Sequence, residues 1–249
     1  MIVLKTAREI ELMKEACYIS AMALKIAGEA VEPGVSTAEI DKLAYDYIKS
    51  QGAEPNFLNL YGFPATACIS VNSEVIHGIP SKKRIIKSGD IVSIDLGAKI
   101  NGFNGDNAAT FPAGDISPQA KRLCEVTEQS LYKGIEKALA GGRIGDIGNA
   151  VQTHCESAGF GVVRDFVGHG VGKELHEDPS VPNFGTAGKG IRLRPGMTIA
   201  IEPMITQGNY AVKQLADGWT VVTADGKLAA HFEHTVAITV DGPKIMTKI

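Results

Sequence analysis

A pattern of long helix, short helix and strands runs along this chain twice, and that repetition limits its fold more than any other feature. In the first copy Thr6 and Glu9 spell a capping box. Apolar residues then recur at Ile10, Met13, Cys17, Ala21, Leu24 and Ala27, the spacing of one helical face. Pro33-Gly34 interrupts. Ser36 and Glu39 form a second capping box, opening a shorter helix through Ile40, Leu43, Ala44, Tyr47 and Ile48 that stops at Gly52. Strands are expected over 68–72, 91–98 and 103–111. In the second copy Ser117-Pro118 places an N-cap before a proline at the first helical position. A long helix is expected through Leu123, Leu131, Ile135 and Leu139, broken by Gly141-Gly142. A shorter one carries Ile147, Val151 and Cys155 to Gly159, before strands over 161–166, 197–205, 219–223 and 230–240. At an offset of 107 residues Ile40 falls on Ile147, Ala44 on Val151, Ile48 on Cys155, Gly52 on Gly159 and Asp95 on Glu202. No Ser/Gly-rich or charged tract separates the copies. The expectation is one α/β (α+β) domain over 1–249, with pseudo-symmetric halves of about 1–112 and 113–249.

Composition narrows the class. At 249 residues, 44% hydrophobic and 21% charged, the chain is of ordinary globular make-up, which excludes a disordered tail, collagen or a coiled coil. The net charge is −3 with no basic block, so DNA is not an expected partner. No apolar run approaches the ~20 residues that span a bilayer. The opening segment Met1–Glu9 leads straight into a helix rather than a signal peptide. Cys17, Cys68, Cys124 and Cys155 lie far apart, as reduced thiols of a cytoplasmic protein would.

The chemistry concentrates in the segment Ser93–Asp106. Asn101-Gly102 is the preferred two-residue hairpin turn. With that turn Ile100 pairs with Phe103 and Gly97 with Asp106. Asp95, two residues from Gly97, then shares a face with Asp106, the two lying diagonally across a position that Gly97 leaves empty. Two such carboxylates could clamp a cation or share a proton. Solvated surface acids are the commoner reading, but Ile91, Val92, Ile94 and Leu96 make the strand apolar on both faces, and a buried carboxylate needs a partner. Glu202 and Glu233 sit in similar apolar runs. His169 stands between Gly168 and Gly170, His176 seven residues on, and His77 in a Gly/Pro-bounded turn. His231 and His234 read as turn histidines bonded to backbone. Four carboxylates and one imidazole suit Mn, Fe, Co or Zn. Their formal charge would be neutralised by two divalent ions, the usual hydrolytic clamp.

Taken together, VIHGIP at 75–80, IDLGAKINGFNGD at 94–106, GHGVGKELHEDPSVPN at 168–183, IAIEPM at 199–204, DGWTVVTADG at 217–226 and FEHTVAIT at 232–239 resemble the type I methionine aminopeptidases over nearly the whole chain. The resemblance implies the duplicated pita-bread fold, with a curved, mostly antiparallel sheet covered by helices. It implies two divalent metal ions (Co, Mn, Fe or Zn) held by Asp95, Asp106, His169, Glu202 and Glu233, with Asp106 and Glu233 bridging. His77, His176 and Glu202 would be catalytic. His77 would approach the scissile amide and the substrate amine, His176 the scissile carbonyl, and Glu202 would shuttle a proton. A methionine pocket would involve Phe57, Leu60, Phe63, Cys68, Leu175 and Trp219. The implied reaction is attack of a metal-bound hydroxide on the scissile carbonyl, removing the N-terminal methionine of nascent polypeptides when the second residue is small. The implied setting is a cytoplasmic monomer meeting its substrates at the ribosome. Leu60, Asn104 and Leu175 depart from the family's usual Tyr, His and Phe, which bears on pocket shape rather than on the metal ligands. A proline-specific peptidase of the same fold and a non-catalytic peptide-binding module are the competing readings. The first usually carries a preceding domain and the second loses metal ligands, whereas all five are present here.

Overall fold

The computed structural model describes residues 1–249. Four helices form where the caps and apolar periodicities fall: α1 Ala7–Glu29, α2 Thr37–Ser50, α3 Pro118–Ile135 and α4 Ile144–Ser157. Both expected capping boxes close, Thr6 with Glu9 and Ser36 with Glu39, and the Ser117 side chain accepts from the Ala120 amide. Helix α3 ends before Leu139. Its last carbonyls are taken by shorter-range bonds from Lys137 and Ala138 as the chain bends toward Gly141, so Ala138 is buried and Leu139 is 48% exposed.

The main sheet is antiparallel throughout. Its order is Glu54–Pro55, Ile91–Ile100, Phe103–Pro112, Glu233–Thr239, Thr198–Ile201, Gly168–Gly170 and Glu177–Val181. Ala67–Val71 also pairs with Ile91–Ile100, and Gly242–Ile245 with Glu233–Thr239. One apolar core packs α1 and α2 on the strands of the first half; another packs α3 and α4 on those of the second. The positions that coincide at the offset of 107 have matching surroundings: Ile40, Ala44 and Ile48 are fully buried in the first core, Ile147, Val151 and Cys155 in the second. Gly52 and Gly159 both take positive φ, 72° and 86°.

Several expected strands are shorter or divided. The 161–166 strand is only Gly161–Val162, and the 219–223 strand only Val221–Thr223. The 197–205 strand splits into Thr198–Ile201 and Met204–Thr206, because Pro203 has no amide to donate. The 230–240 strand splits into Ala229–His231 and Glu233–Thr239. At both breaks the chain leaves the main sheet for a small sheet of Ala229–His231, Met204–Thr206 and Gly161–Val162.

A buried ion pair fastens the amino-terminal segment to the start of the strand Glu177–Val181. Lys5 Nζ lies 2.5 Å from Glu177 Oε2, with side chains 3% and 11% exposed. Lys5→Met would leave the Glu177 carboxylate without its cation, a loss of about 3–5 kcal/mol for a buried pair. Denaturant unfolding checks this, and a loss below about 1 kcal/mol would mean that the pair behaves as a solvated one.

Candidate metal centre

The hairpin that carries the first two carboxylates forms as its turn dictates. Asn101 and Gly102 take φ of 53° and 78°, the left-handed pair of a two-residue turn, and the register sets Ile100 against Phe103 and Gly97 against Asp106. Gly97 does not leave an empty space, however. A side chain there would lie 2.4 Å from Asn56 Oδ1, so the Asn56 amide occupies the room the glycine provides. Gly105, on the same hairpin, abuts the α1 backbone at Cys17, where a Cβ would come within 2.5 Å. This close approach seats the hairpin on the helix.

The remaining acids come from strands of the second half. Glu233 begins its strand opposite Ala108, one position along from Asn107 opposite His234. Thr235 ties this strand to Asp106, its hydroxyl donating to the Asp106 carbonyl at 2.8 Å and accepting from the Asp106 amide at 3.2 Å. Glu202 occupies the gap where its strand leaves the main sheet before Pro203, and Asn183 Nδ2 holds its carbonyl at 2.9 Å. His169 lies on the three-residue strand Gly168–Gly170.

These elements bring one oxygen each of Asp106 and Glu233 and one nitrogen of His169 within 4.8 Å of one another. His169 Nε2 is 3.6 Å from Asp106 Oδ2 and 3.5 Å from Glu202 Oε1. Asp106 and Glu233 are each 2% exposed. Burial raises the proton affinity of Asp95, Asp106, Glu202 and Glu233 well above the usual carboxylate range, and their mutual repulsion adds to it. Burial also depresses His169, to about 4, helped by His176 beside it, so the ring is neutral at pH 7. Its Nδ1 is 2.9 Å from the Gly170 carbonyl, which can only accept. Nδ1 therefore carries the proton, and the lone pair on Nε2 faces the carboxylates.

The donor set fits a divalent cation. Asp95 Oδ1, Asp106 Oδ1 and Glu233 Oε1 are buried without any hydrogen-bond partner. Buried carboxylate oxygens left without partners, with the Asp106 and Glu233 carboxylates gathered beside the His169 imidazole, are costly alone and favourable around a cation.

The carboxylates form the floor of a cavity of about 370 Å³. All six residues of the expected methionine pocket, Phe57, Leu60, Phe63, Cys68, Leu175 and Trp219, line its wall, and His77 and His176 line it as well. His77 is held in a left-handed conformation (φ 59°), strained for a residue with a side chain, with its ring edge-on to Phe166 and Trp219. Burial lowers it to about 4. His176, at the rim, makes an edge contact with His169 at 4.4 Å between centroids and stacks on Tyr61 at 6.0 Å.

His231 and His234 are not turn histidines. His231 is 1% exposed, and its Nε2 lies 3.6 Å from Glu202 Oε2. The pairing of Ala229–His231 with Met204–Thr206 sets His231 opposite Met204, two residues past Glu202, a placement that no local pattern signals. His234 points the other way, its Nδ1 2.9 Å from Thr247 Oγ1. Asn56 and Tyr61 gave no signal in the sequence.

A cavity with buried carboxylates at one end and an apolar wall at the other is the site of a metal-dependent hydrolase acting on a partly apolar substrate. Residues 11–240 match the model of metallopeptidase family M24. A methionine aminopeptidase from Clostridium perfringens is 55% identical over 249 residues, all of both chains. The solved structure of one from Thermotoga maritima superposes with a TM-score of 0.98 at 46% identity, again over all of both chains. A prolidase from Pyrococcus furiosus gives a TM-score of 0.79 at 27% identity, and the match spans 99% of this chain but 66% of the prolidase. The chain belongs to metallopeptidase family M24 and, within it, to the methionine aminopeptidases. Its architecture is the pita-bread fold of that group, and it is a divalent-metal hydrolase.

Proposed function

We propose that the chain removes the N-terminal methionine from polypeptides whose second residue is small, with two divalent ions held by Asp95, Asp106, His169, Glu202 and Glu233. The observation that carries this reading is the joining of orphaned carboxylate oxygens to an apolar pocket in one cavity. When bound, the ions would supply Lewis-acid polarisation and a nucleophile usable at neutral pH. The chain's own residues do the rest. Asp106 and Glu233, the most buried of the acids, would hold the ions from the floor of the cavity. Glu202, its proton affinity raised and its oxygens facing His169 and His231, would pass a proton to the departing amine. His176 would donate a hydrogen bond to the scissile carbonyl oxygen, and His77 would meet the amide and the substrate amine. Phe57, Leu60, Phe63, Cys68, Leu175 and Trp219 would take the flexible thioether and exclude water.

The same reading takes 1–249 as one catalytic domain with halves of about 1–112 and 113–249, supported by the matched burial of Ile40 with Ile147 and Ile48 with Cys155. It places a monomer in the cytoplasm, meeting nascent chains at the ribosome. Four free cysteines suit a reducing compartment, and no helix is long and apolar enough to cross a membrane. Elemental analysis after reconstitution should give two ions per chain, of Co, Mn, Fe or Zn.

Hydrolysis of four tripeptides tests the activity. Met-Ala-Ser and Met-Gly-Ser should be cut, and Met-Lys-Ser and Met-Phe-Ser should have kcat/KM lower by roughly 100-fold or more, since a misplaced reacting bond costs on that order. Comparable values for all four would refute the selectivity. Preferential cleavage of peptides with proline second, over Met-Ala-Ser, would favour the proline-specific reading.

A further inference from the structure

The ring of His176 has no hydrogen bond to hold it. Its aromatic contacts are the stack on Tyr61, itself 78% exposed, and the edge of His169. Its position must therefore come from the backbone beneath it. Leu175, by contrast, is 5% exposed and secured by packing on Phe57, Phe63 and Cys68.

That backbone is gripped from the metal-site hairpin by one buried amide. Asn104 is 1% exposed and lies two residues before Asp106. Its Nδ2 donates to the Gly172 carbonyl and to the Lys173 carbonyl, each at 3.0 Å, and its own amide also donates to Gly172 O at 2.9 Å. Its Oδ1 accepts from Asn56 Nδ2 at 3.1 Å. Both amide protons and the oxygen are thus spent, which fixes the orientation of the Asn104 side chain. Asn56 is in turn wedged beside Gly97 and reaches the Gly105 carbonyl at 3.4 Å. Beyond Lys173 the loop closes on itself, with the Gly172 amide bonded to Glu174 O at 3.0 Å and the Glu174 amide to Glu177 Oε1 at 3.2 Å.

We propose that Asn104, braced by Asn56, is a positioning residue that sets the His176 imidazole relative to the carboxylates of the hairpin. The inference rests on the reading of His176 as the group that meets the scissile carbonyl. An amide suits the task because it gives two protons to two carbonyls and still accepts a third bond. A carboxylate of the same shape would set oxygen against oxygen.

The test compares Asn104→Ala, Asn104→Asp and Asn56→Ala with wild type, alone and combined with His176→Ala. Asn104→Ala should lower kcat on Met-Ala-Ser roughly 10–100-fold with KM changed less than about threefold and metal content unaltered. Asn104→Asp should match or exceed that loss, and Asn56→Ala should give a smaller one. Combined with His176→Ala, none should cost more than about a further twofold. In chelated protein, exchange of the Gly172 and Glu174 amides, followed by NMR, should be roughly tenfold faster in Asn104→Ala. A full loss in the double variant, a rise in KM alone, or unchanged exchange would overturn the proposal. Should His176→Ala itself keep wild-type kcat, the role of His176 falls, while the exchange measurement still decides whether Asn104 holds the loop. If Asn104→Ala does not fold, Asn56→Ala carries the same comparison.

Discussion

Chelated protein is expected to melt well below the metal-loaded form. An ion bound only by the native state adds ~2.7 kcal/mol at a hundredfold excess over its dissociation constant. For a chain of this size that is about 5–10 °C. The apo state is also penalised, because burial and repulsion act together on Asp95, Asp106, Glu202 and Glu233. With carboxyl pKa values raised on folding, the metal-free native state holds more protons than the unfolded chain. Its stability is therefore greatest below the unfolded values, about 4, and is lost as pH rises toward the folded ones. The buried His77 and His169, lowered to about 4, act oppositely, but only below their unfolded value of about 6.5. Above that pH the histidine contribution is complete, so what pH dependence the carboxylates leave there should be a loss of Tm as pH rises. Glu233→Gln, which removes one charge and keeps the shape, should abolish the gain from metal while making the chelated protein more stable, on the order of 1–2 kcal/mol. Calorimetry with and without added metal decides. Equal Tm values for chelated and loaded wild type would count against a metal centre, and a less stable chelated Glu233→Gln would contradict the repulsion account.

His169→Ala and His176→Ala should fail in different ways, although seven residues separate the two in sequence. The proton on His169 Nδ1 is fixed by the Gly170 carbonyl, which leaves Nε2 as an electron-pair donor facing Asp106 and Glu202. Losing it should deplete bound metal and, with it, activity. His176 stands at the rim with its ring against that of His169 and no anionic neighbour at hydrogen-bond distance. Its loss should leave metal content near wild type and lower kcat by about 10²–10³, as removal of one oxyanion donor does. Elemental analysis beside kcat on Met-Ala-Ser separates the outcomes. A metal-poor His176→Ala or a fully loaded His169→Ala would reverse the assignment.

The parts of the site that were legible in the sequence are those governed by local rules. Asn101-Gly102 and the period of two were enough to place Asp106 opposite Gly97, and the capping boxes placed α1 and α2. Apolar surroundings marked Glu202 and Glu233 as candidates, and motif resemblance joined them with His169 into one ligand set, because no spacing rule predicts that His169 will approach Asp106 across the sheet. That approach depends on strand order. Leu139 misled because an apolar residue at helical spacing carries no word of where the chain must bend. The division at Pro203 carried its signal in the proline, which cannot donate to a ladder, whereas nothing local at Phe232 tells that the residues on its two sides join different sheets. Asn56 could not be found at all. An asparagine in a polar loop looks like any other, and only the missing side chain of Gly97, far away in sequence, gives it a place.

In the main sheet the strands of the first 112 residues meet those of the second half along a short seam, and a separate small sheet pairs Glu74–Ile76 with Val221–Thr223. Phe103–Pro112 and Glu233–Thr239 share only two register pairs, Ala108 with Glu233 and Asn107 with His234, reinforced by Thr235 on the Asp106 backbone. Proposed ligands stand on both sides of it. A cation there would act as a clasp across that seam, added to the hydrogen bonds that Asn104 and Thr110 already make from one half to the other. Cut within 113–117, the chain would become two complementing pieces, held by those pairings and tightened by the ion they share.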